Sequence, residues 1–388
     1  MKRMGCAVLA IMLLFCLIPV EGQAAGLEIE GKSALLMEVS TGRVLFEQNA
    51  GEALPPASVT KIMTMLLIME AIDSGKIRWE DTVTASETAA AKGGSQIYLK
   101  VGETMTVADM IKSIAVSSAN DCACAMAEHL AGSESAFVEQ MNQRAKELGM
   151  ENTHFVNCTG LDDDPEAAQH RTSARDIAIM SRELLKNHPD IKRYTTIWMD
   201  TVRNGAFGLS NTNKLIRFYS GATGLKTGFT SAAGYCLSAT AEREGMELIA
   251  VVMGCETSQK RTAACKAMLD YGFANYAVVN PKLEDVVTVP VILGKDSLVS
   301  LRLGEETALL IDKAQKNSVS MELETEDSVE APVSLGQRLG TVTLRSGDQE
   351  LAKIPLVAAS AVEKLTFADL FLLVLRRAAM AKGAEGNG

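Results

Sequence analysis

A serine and a lysine three residues apart can make a nucleophile. Ser58 and Lys61 stand at that spacing in "ALPPASVTKIMTMLLIME", so on a helix they share a face. A serine hydroxyl is a poor nucleophile until a neighbouring base takes its proton, and a lysine that is neutral part of the time can do so. An ammonium near the start of an apolar helix is badly placed against the helix dipole. Catalysis is one compensation for keeping it there. Two more short patterns follow in order, Ser118-Ala119-Asn120 in "VSSAND" and Lys226-Thr227-Gly228 in "GLKTGFT". Ser118 is a hydroxyl able to relay a proton between a base and a leaving amine. Asn120 offers a fixed amide for a substrate backbone. Lys226 could be the second cation that, with burial, depresses the Lys61 pKa.

Elements must bring these residues together. Pro55 and Pro56 precede the Ser58 helix, where a missing N–H costs nothing. Ile62, Met65, Leu66 and Met69 then recur at helical spacing and predict one core-facing stripe. "SALLMEVSTGRVLFEQN" reads as two strands around Ser40-Thr41-Gly42. Thr106 and Asp109 are placed as a capping box before a helix striped by Val107, Met110, Ile111 and Ile114. "ANDCACAMAEHLAG" predicts a helix ended by Gly132, and "SARDIAIMSRELLKN" another. "GYCLSATAEREGMELIAVVMG" reads as two strands joined at Glu244-Gly245, with "GATGLKTGFT" leading into a neighbour. That neighbour's edge can pair with a peptide-like ligand, and Gly228 would allow close backbone approach. Backbone N–H groups of Ser58 and Phe229 are then placed to meet a developing oxyanion.

With 388 residues the chain is long enough for two domains and tails. Its net charge of −10 argues against a nucleic-acid partner. Lys2 and Arg3, the run "CAVLAIMLLFCLIPV" and the small residues of "EGQAA" predict a signal peptide over 1–25, and hence export. Six cysteines remain beyond it: Cys122, Cys124, Cys158, Cys236, Cys255 and Cys265. Their spacing fits no zinc or redox motif, and small buried apolar residues are the simplest reading, with a disulfide left open. After Val278 the composition turns to short Val-, Leu- and Thr-rich runs, which predicts a small all-β domain over 278–360, a sandwich with a barrel as the alternative. "EKLTFADLFLLVLRRAAMAK" closes the chain with a cap at Thr366 and Asp369, an apolar stripe and basic flanks. Residues 361–388 are therefore expected to form an amphipathic helix on a membrane surface, with a helix docked on the β domain as the alternative.

The ordered triple of S-x-x-K, S-x-N and K-T-G is known from penicillin-binding proteins and class A β-lactamases. With "GGSQIYLKVGE", "HRTSARDIA", "GLKTGFTSAAGYCLSATA" and "APVSLGQRLGTVTL", the chain closely resembles the low-molecular-mass penicillin-binding proteins that are D-alanyl-D-alanine carboxypeptidases, serine peptidases of the S11 type. The resemblance covers essentially the whole chain. It implies an α+β peptidase domain over 26–277, an antiparallel sheet with helices on both faces, and no cofactor or metal. It also implies removal of the terminal D-alanine from peptidoglycan stem pentapeptides through an acyl-enzyme on Ser58, inactivation by β-lactams, and a place on the outer face of the cytoplasmic membrane. By resemblance Lys61 is the general base. Ser118 and Asn120 serve proton transfer and substrate binding, and Lys226 supports the polar network. Thr227 helps hold the terminal carboxylate, with Arg261 of "VVMGCETSQKRTAA" as the cation for that carboxylate. Ala119 stands where the family often has glycine.

Rival chemistries find less support. A class A β-lactamase needs a water-activating glutamate, and Lys186 breaks the spacing around Glu183 in "SRELLKN". No G-x-S-x-G elbow accompanies His129, His154, His170 or His188, and neither H-E-x-x-H nor a paired C-x-x-C is present. A wall-binding scaffold with a retired site would not be expected to keep all of Ser58, Lys61, Ser118, Asn120 and Lys226.

Overall fold

The computed structural model describes residues 27–163, 165–304, 308–372 and 374–375. The expected signal peptide lies outside the described residues, as does the chain beyond Leu375. A five-stranded, wholly antiparallel sheet forms the centre, in the order Val44–Gln48, Ser33–Glu38, Met246–Cys255, Gly234–Arg243, Ala222–Thr230. The strand carrying Lys226 is thus an edge. Alternation explains why "MELIAVVMGC" is apolar throughout. Ile249, Val251 and Met253 face one core with the helical lobe, while Leu248, Ala250 and Val252 face a second core under the Ser258–Asn275 helix. Helices therefore cover both faces, with the Ala174–Asn187 helix on the side opposite Ser258–Asn275.

The expected strands, helices and caps of this region form. Thr106 accepts the Asp109 N–H, Gly132 ends the Asn120–Ala131 helix at φ +83°, and Glu244-Gly245 turns the hairpin. The helix after Ser58 differs in one respect. Lys61–Asp73 is not a striped surface helix but a central one, with Lys61, Ile62, Met63, Thr64, Met65, Leu66, Ile68 and Met69 all fully buried. Pattern reading underestimates a helix enclosed on nearly every side.

Beyond the Ser258–Asn275 helix, Tyr276–Val279 pairs with Leu309–Asp312. Leu309, Leu310 and Ile311 of the run "TALLI" therefore belong to this linking ribbon and not to the larger sheet. A six-stranded all-β sheet follows, in the order Val319–Thr325, Arg338–Ser346, Gln349–Ala358, Leu298–Leu303, Thr288–Ile292, Val329–Glu330, around its own core of Val289, Val299, Val342, Leu344, Ile354 and Leu356. Thr366 and Asp369 exchange the expected capping bonds. Phe367, Phe371, Leu372, Val374 and Leu375 after them are exposed, so they are not docked on the β domain. No helix among the described residues is long and apolar enough to cross a membrane.

Candidate active site

Ser58 sits in a 3-10 turn, Ala57–Thr60, that runs directly into the Lys61–Asp73 helix. Ala57 takes a left-handed backbone, φ +49°. The Thr60 hydroxyl donates to the Ala57 carbonyl at 2.8 Å. His170 locks that hydroxyl from behind. Its Nδ1 accepts the Val156 N–H, so the network assigns the proton to Nε2, 2.8 Å from Thr60 Oγ1. Burial pushes His170 down to about 4, so it is neutral at pH 7. This histidine is a packed support and not a base toward Ser58.

Lys61 Nζ lies 2.9 Å from Ser58 Oγ and donates to the Thr159 carbonyl at 2.8 Å. The lysine is fully buried while Ser58 is half-buried. Burial lowers the Lys61 pKa to about 7, against a smaller upward pull from Cys158 and Asp121. Among the described residues no carboxylate hydrogen-bonds the amine. At neutral pH a substantial fraction is therefore free base, and its lone pair has the Ser58 hydroxyl within reach.

Ser118 is the hinge between the Val107–Ser117 and Asn120–Ala131 helices, with a left-handed φ of +63°. Its Oγ is buried and has no hydrogen-bond partner among the described residues, and the same holds for Asn120 Oδ1. Asn120 Nδ2 donates to the Gly93 carbonyl at 2.8 Å, and its backbone N–H to Ser95 at 2.6 Å. Orphaned polar atoms in an otherwise satisfied interior point to a ligand that completes them. Asp121, next in sequence, is consumed internally by the N–H groups of Ile97, Leu99 and Cys122.

The edge strand supplies the third group. Lys226 is buried, and its Nζ donates to the Thr227 carbonyl at 2.9 Å. Burial lowers its pKa well below the ordinary lysine value, helped by the charges of Lys61 and Arg261. The expected influence between the two lysines thus acts on Lys226, whereas burial is what lowers the Lys61 pKa. Thr227 Oγ1 lies 2.6 Å from Thr212 Oγ1. Gly228 is required by close approach, since a Cβ there would stand 2.7 Å from the Pro56 carbonyl and 3.1 Å from the Val59 nitrogen. The Phe229 ring is half exposed and stacks on Tyr235 at 4.3 Å. Arg261 is buried behind the strand. Its Nη1 donates to the carbonyls of Gly228 at 3.3 Å and Cys236 at 3.5 Å, its Nη2 to Ser258 Oγ at 3.2 Å, and its Nε has no partner among the described residues.

Ser58, Lys61, Lys226 and Gly228 therefore meet where the edge strand abuts the 3-10 turn. Asn120 joins them through the Gly93–Ser95 loop, since a Cβ on Gly94 would lie 2.8 Å from Asn120 Nδ2 and 3.2 Å from Leu161. Sequence reading missed the Asn157–Leu161 loop. Asn157 Oδ1 accepts the N–H groups of Thr159 and Gly160, which turns the Thr159 carbonyl onto Lys61. A Cβ on Gly160 would fall 1.8 Å from the Ala57 carbonyl oxygen. The Asn-x-Thr-Gly run was the available signal, a side-chain-bonded turn followed by a glycine. Thr212 had no such signal. Glu183 pairs with Arg144 at 2.6 Å on the Ala174–Asn187 helix, so it is engaged elsewhere. All six cysteines are buried and free.

Residues 20–257 match the family model described as D-alanyl-D-alanine carboxypeptidase. The chain belongs to this family. Residues 281–364 match the C-terminal domain of penicillin-binding protein 5. The D-alanyl-D-alanine carboxypeptidase DacF of Bacillus subtilis is 45% identical over 344 residues, 87% of each chain. Among solved structures, penicillin-binding protein 5 from Haemophilus influenzae superposes with a TM-score of 0.72 at 30% identity, covering 87% of this chain and 98% of that one. Penicillin-binding protein D2 from Listeria monocytogenes in its ampicillin-bound form gives 0.58 at 33% identity, over 64% of this chain and 99% of that one. The α+β peptidase fold followed by a β domain is thus the architecture of D-alanyl-D-alanine carboxypeptidases, as the motifs led us to expect.

Proposed function

We propose that Ser58, Lys61, Ser118, Asn120, Lys226, Thr227 and Arg261 carry the reaction of this serine-type D-alanyl-D-alanine carboxypeptidase, on the stem pentapeptide of peptidoglycan. The supporting observation is the buried amine of Lys61, 2.9 Å from Ser58 Oγ, with its pKa lowered by burial to about 7. Neutral Lys61 takes the Ser58 proton as Oγ attacks the carbonyl of the penultimate D-alanine. The C–O bond forms and the carbonyl oxygen becomes an oxyanion, met by the backbone N–H groups of Ser58 and Phe229. Collapse breaks the C–N bond. The unpartnered Ser118 hydroxyl passes a proton from the amine side to the departing D-alanine nitrogen. Water then attacks the ester as Lys61 takes its proton, the C–O bond to Ser58 breaks to free the shortened peptide, and Lys61 returns the proton to Ser58 Oγ.

Asn120 is read as holding the substrate amide, for its Nδ2 is already aimed by Gly93. Thr227 bonds the terminal carboxylate. Arg261 adds positive charge from behind Gly228 and fixes that strand, with its Nη1 donating to the Gly228 and Cys236 carbonyls. Penicillin would acylate Ser58 by the same attack. For the remainder of the chain we read residues 1–25 as an export signal, 26–277 as the peptidase domain and 278–360 as a β stand. The exposed apolar residues after Thr366 lie against the outer face of the cytoplasmic membrane.

Mass spectrometry of the mature protein tests this reading. Incubation with a D-alanyl-D-alanine peptide should release D-alanine, and penicillin should leave a lasting adduct on Ser58 that Ser58→Ala abolishes. Rapid penicillin hydrolysis without D-alanine release would make it a lactamase. Absence of both adduct and turnover would return the scaffold reading. Loss of membrane binding on truncation after Val362 tests the anchor.

A further inference from the structure

One groove is lined by none of the residues assigned to acyl transfer. It encloses about 550 Å³, between the 97–103 loop and the hairpin of Met199–Val202 and Phe207–Ser210, and is lined by Tyr98, Lys100, Val101, Glu103, Arg203 and Phe207. Tyr98 is 67% exposed and Val101 61%. Tyr98 also has a φ of +59°, a left-handed backbone that a bulky residue adopts only when its surroundings impose it. They do. The buried Asp121 carboxylate accepts the N–H groups on either side, Ile97 at 3.1 Å and Leu99 at 3.0 Å. Arg203 donates to the carbonyls of Ile97 at 2.8 Å and Tyr98 at 3.3 Å, and Glu103 holds Arg203 at 2.6 Å. The Phe207 ring lies 6.3 Å from that of Tyr98. A buried carboxylate and a guanidinium are thus both engaged in turning one aromatic ring out to water, where exposed apolar surface marks a place of contact.

Both walls of the groove continue residues assigned to the substrate. Asp121 follows Asn120, whose amide groups bind Gly93 and Ser95 of the same loop. The hairpin runs through Asn211 into Thr212, the partner of Thr227. On the carboxypeptidase reading only the last two residues of the stem peptide sit at Ser58. The three upstream residues reach roughly 10 Å further before the saccharide begins. We propose that this groove receives the saccharide-proximal end of the stem peptide, with the Tyr98 ring packed on the apolar face of the muramyl sugar and Lys100 beside a free carboxylate of the stem peptide. The inference rests on that reading for its substrate, and its test keeps the two apart.

The test compares wild type with Tyr98→Asn, which suits the left-handed backbone but lacks the ring, and with Tyr98→Phe. Two substrates are used, a muramyl pentapeptide and an acylated tripeptide ending in D-Ala-D-Ala that has no sugar. For the muramyl substrate kcat/KM should fall roughly fivefold to tenfold in Tyr98→Asn, the scale of one lost aromatic contact, through KM. Tyr98→Phe should restore it. Turnover of the sugar-free peptide and acylation by penicillin should not change. Equal losses on both substrates would overturn the proposal, because the ring would then only support Asn120. Binding of the muramyl pentapeptide to the Ser58→Ala protein, by calorimetry, reads the groove without turnover. If wild type releases no D-alanine, the carboxypeptidase reading fails, while the same drop in affinity on adding Tyr98→Asn still supports the groove. An unchanged affinity means that the groove serves another partner, such as a protein, and overturns the proposal.

Discussion

Lys61 and Lys92 are both drawn into the same lobe, and they end as opposite chemical species. Burial alone would lower Lys92, but its hydrogen bond and charge contact with Glu134, at 2.5 Å, outweigh that and raise its pKa. Lys61 is buried more completely and is given a hydroxyl and a carbonyl in place of a carboxylate, so burial brings it to about 7. The difference teaches how a fold makes a base out of a lysine. It removes water and withholds the counter-charge. The cost is that a lysine poised in this way destabilises the protein, which a paired one does not.

The largest expected effect breaks the comparison at Lys61. Lys61→Met should slow acylation of Ser58 by penicillin about a thousandfold, the scale of a lost general base, read as the rate of adduct formation by mass spectrometry. Stability should move the other way. The folded pKa of about 7 lies below the ordinary 10.5, so between those values the unfolded chain binds more protons. Stability therefore rises with pH across that window, and the deficit is complete below about pH 7. Lys61→Met should accordingly raise Tm at pH 6, and less so at pH 10. In wild type the acylation rate should climb through pH 7 and level off above it. A rate flat from pH 5 to 9 would remove Lys61 as the base.

Next in size is the support beneath it. Gly160→Ala puts a Cβ 1.8 Å from the Ala57 oxygen at a φ of +81°. The loop must move, and with it the Thr159 carbonyl on Lys61. We expect a stability loss of about 2–4 kcal/mol by urea unfolding, with slowed acylation. The control sits at the other lysine. Lys92→Met leaves Glu134 partly buried without its partner and should cost about 1–3 kcal/mol. The pH midpoint of acylation should stay where it is. A shifted midpoint would mean that the two lysines are electrostatically coupled and that the contrast between them is not local.

The sequence makes the chemistry more legible than the supports. Ser58, Lys61, Ser118, Asn120 and Lys226 stand out by residue type and ordered spacing, because the proposed reaction would need such groups. Alternation and caps likewise reveal the central sheet and most helices. What aims the groups is harder to see. Thr159 acts through its backbone carbonyl, which every residue has. Thr212 reaches Thr227 from 15 positions away, and the enclosure of the Lys61–Asp73 helix depends on partners scattered along the chain. The run "TALLI" looks like any other strand of the β domain until its pairing with Tyr276–Val279 is seen.

The smallest predicted effect separates two neighbouring cations that the sequence sets side by side in "SQKRT". Lys260 is 40% exposed and is held outward by Glu30 at 2.8 Å and Glu256 at 2.7 Å. Arg261, one position on, is 7% exposed and turned inward onto the Gly228 carbonyl. The helix geometry accounts for this, since adjacent residues differ by about 100° around the axis and only one of them can face the sheet. Exposed pairs of the Lys260 kind contribute little, so Lys260→Ala should leave KM for a D-alanyl-D-alanine peptide within about twofold. Arg261→Lys keeps the charge but cannot bond the Gly228 and Cys236 carbonyls through one nitrogen and Ser258 Oγ through another, as the planar fork does. It should raise KM severalfold while leaving kcat closer to wild type, because it loosens the strand that holds Thr227. If Lys260→Ala raises KM as much as Arg261→Lys does, the terminal carboxylate is read by the outer cation, and the inward contacts of Arg261 serve only the packing of the sheet.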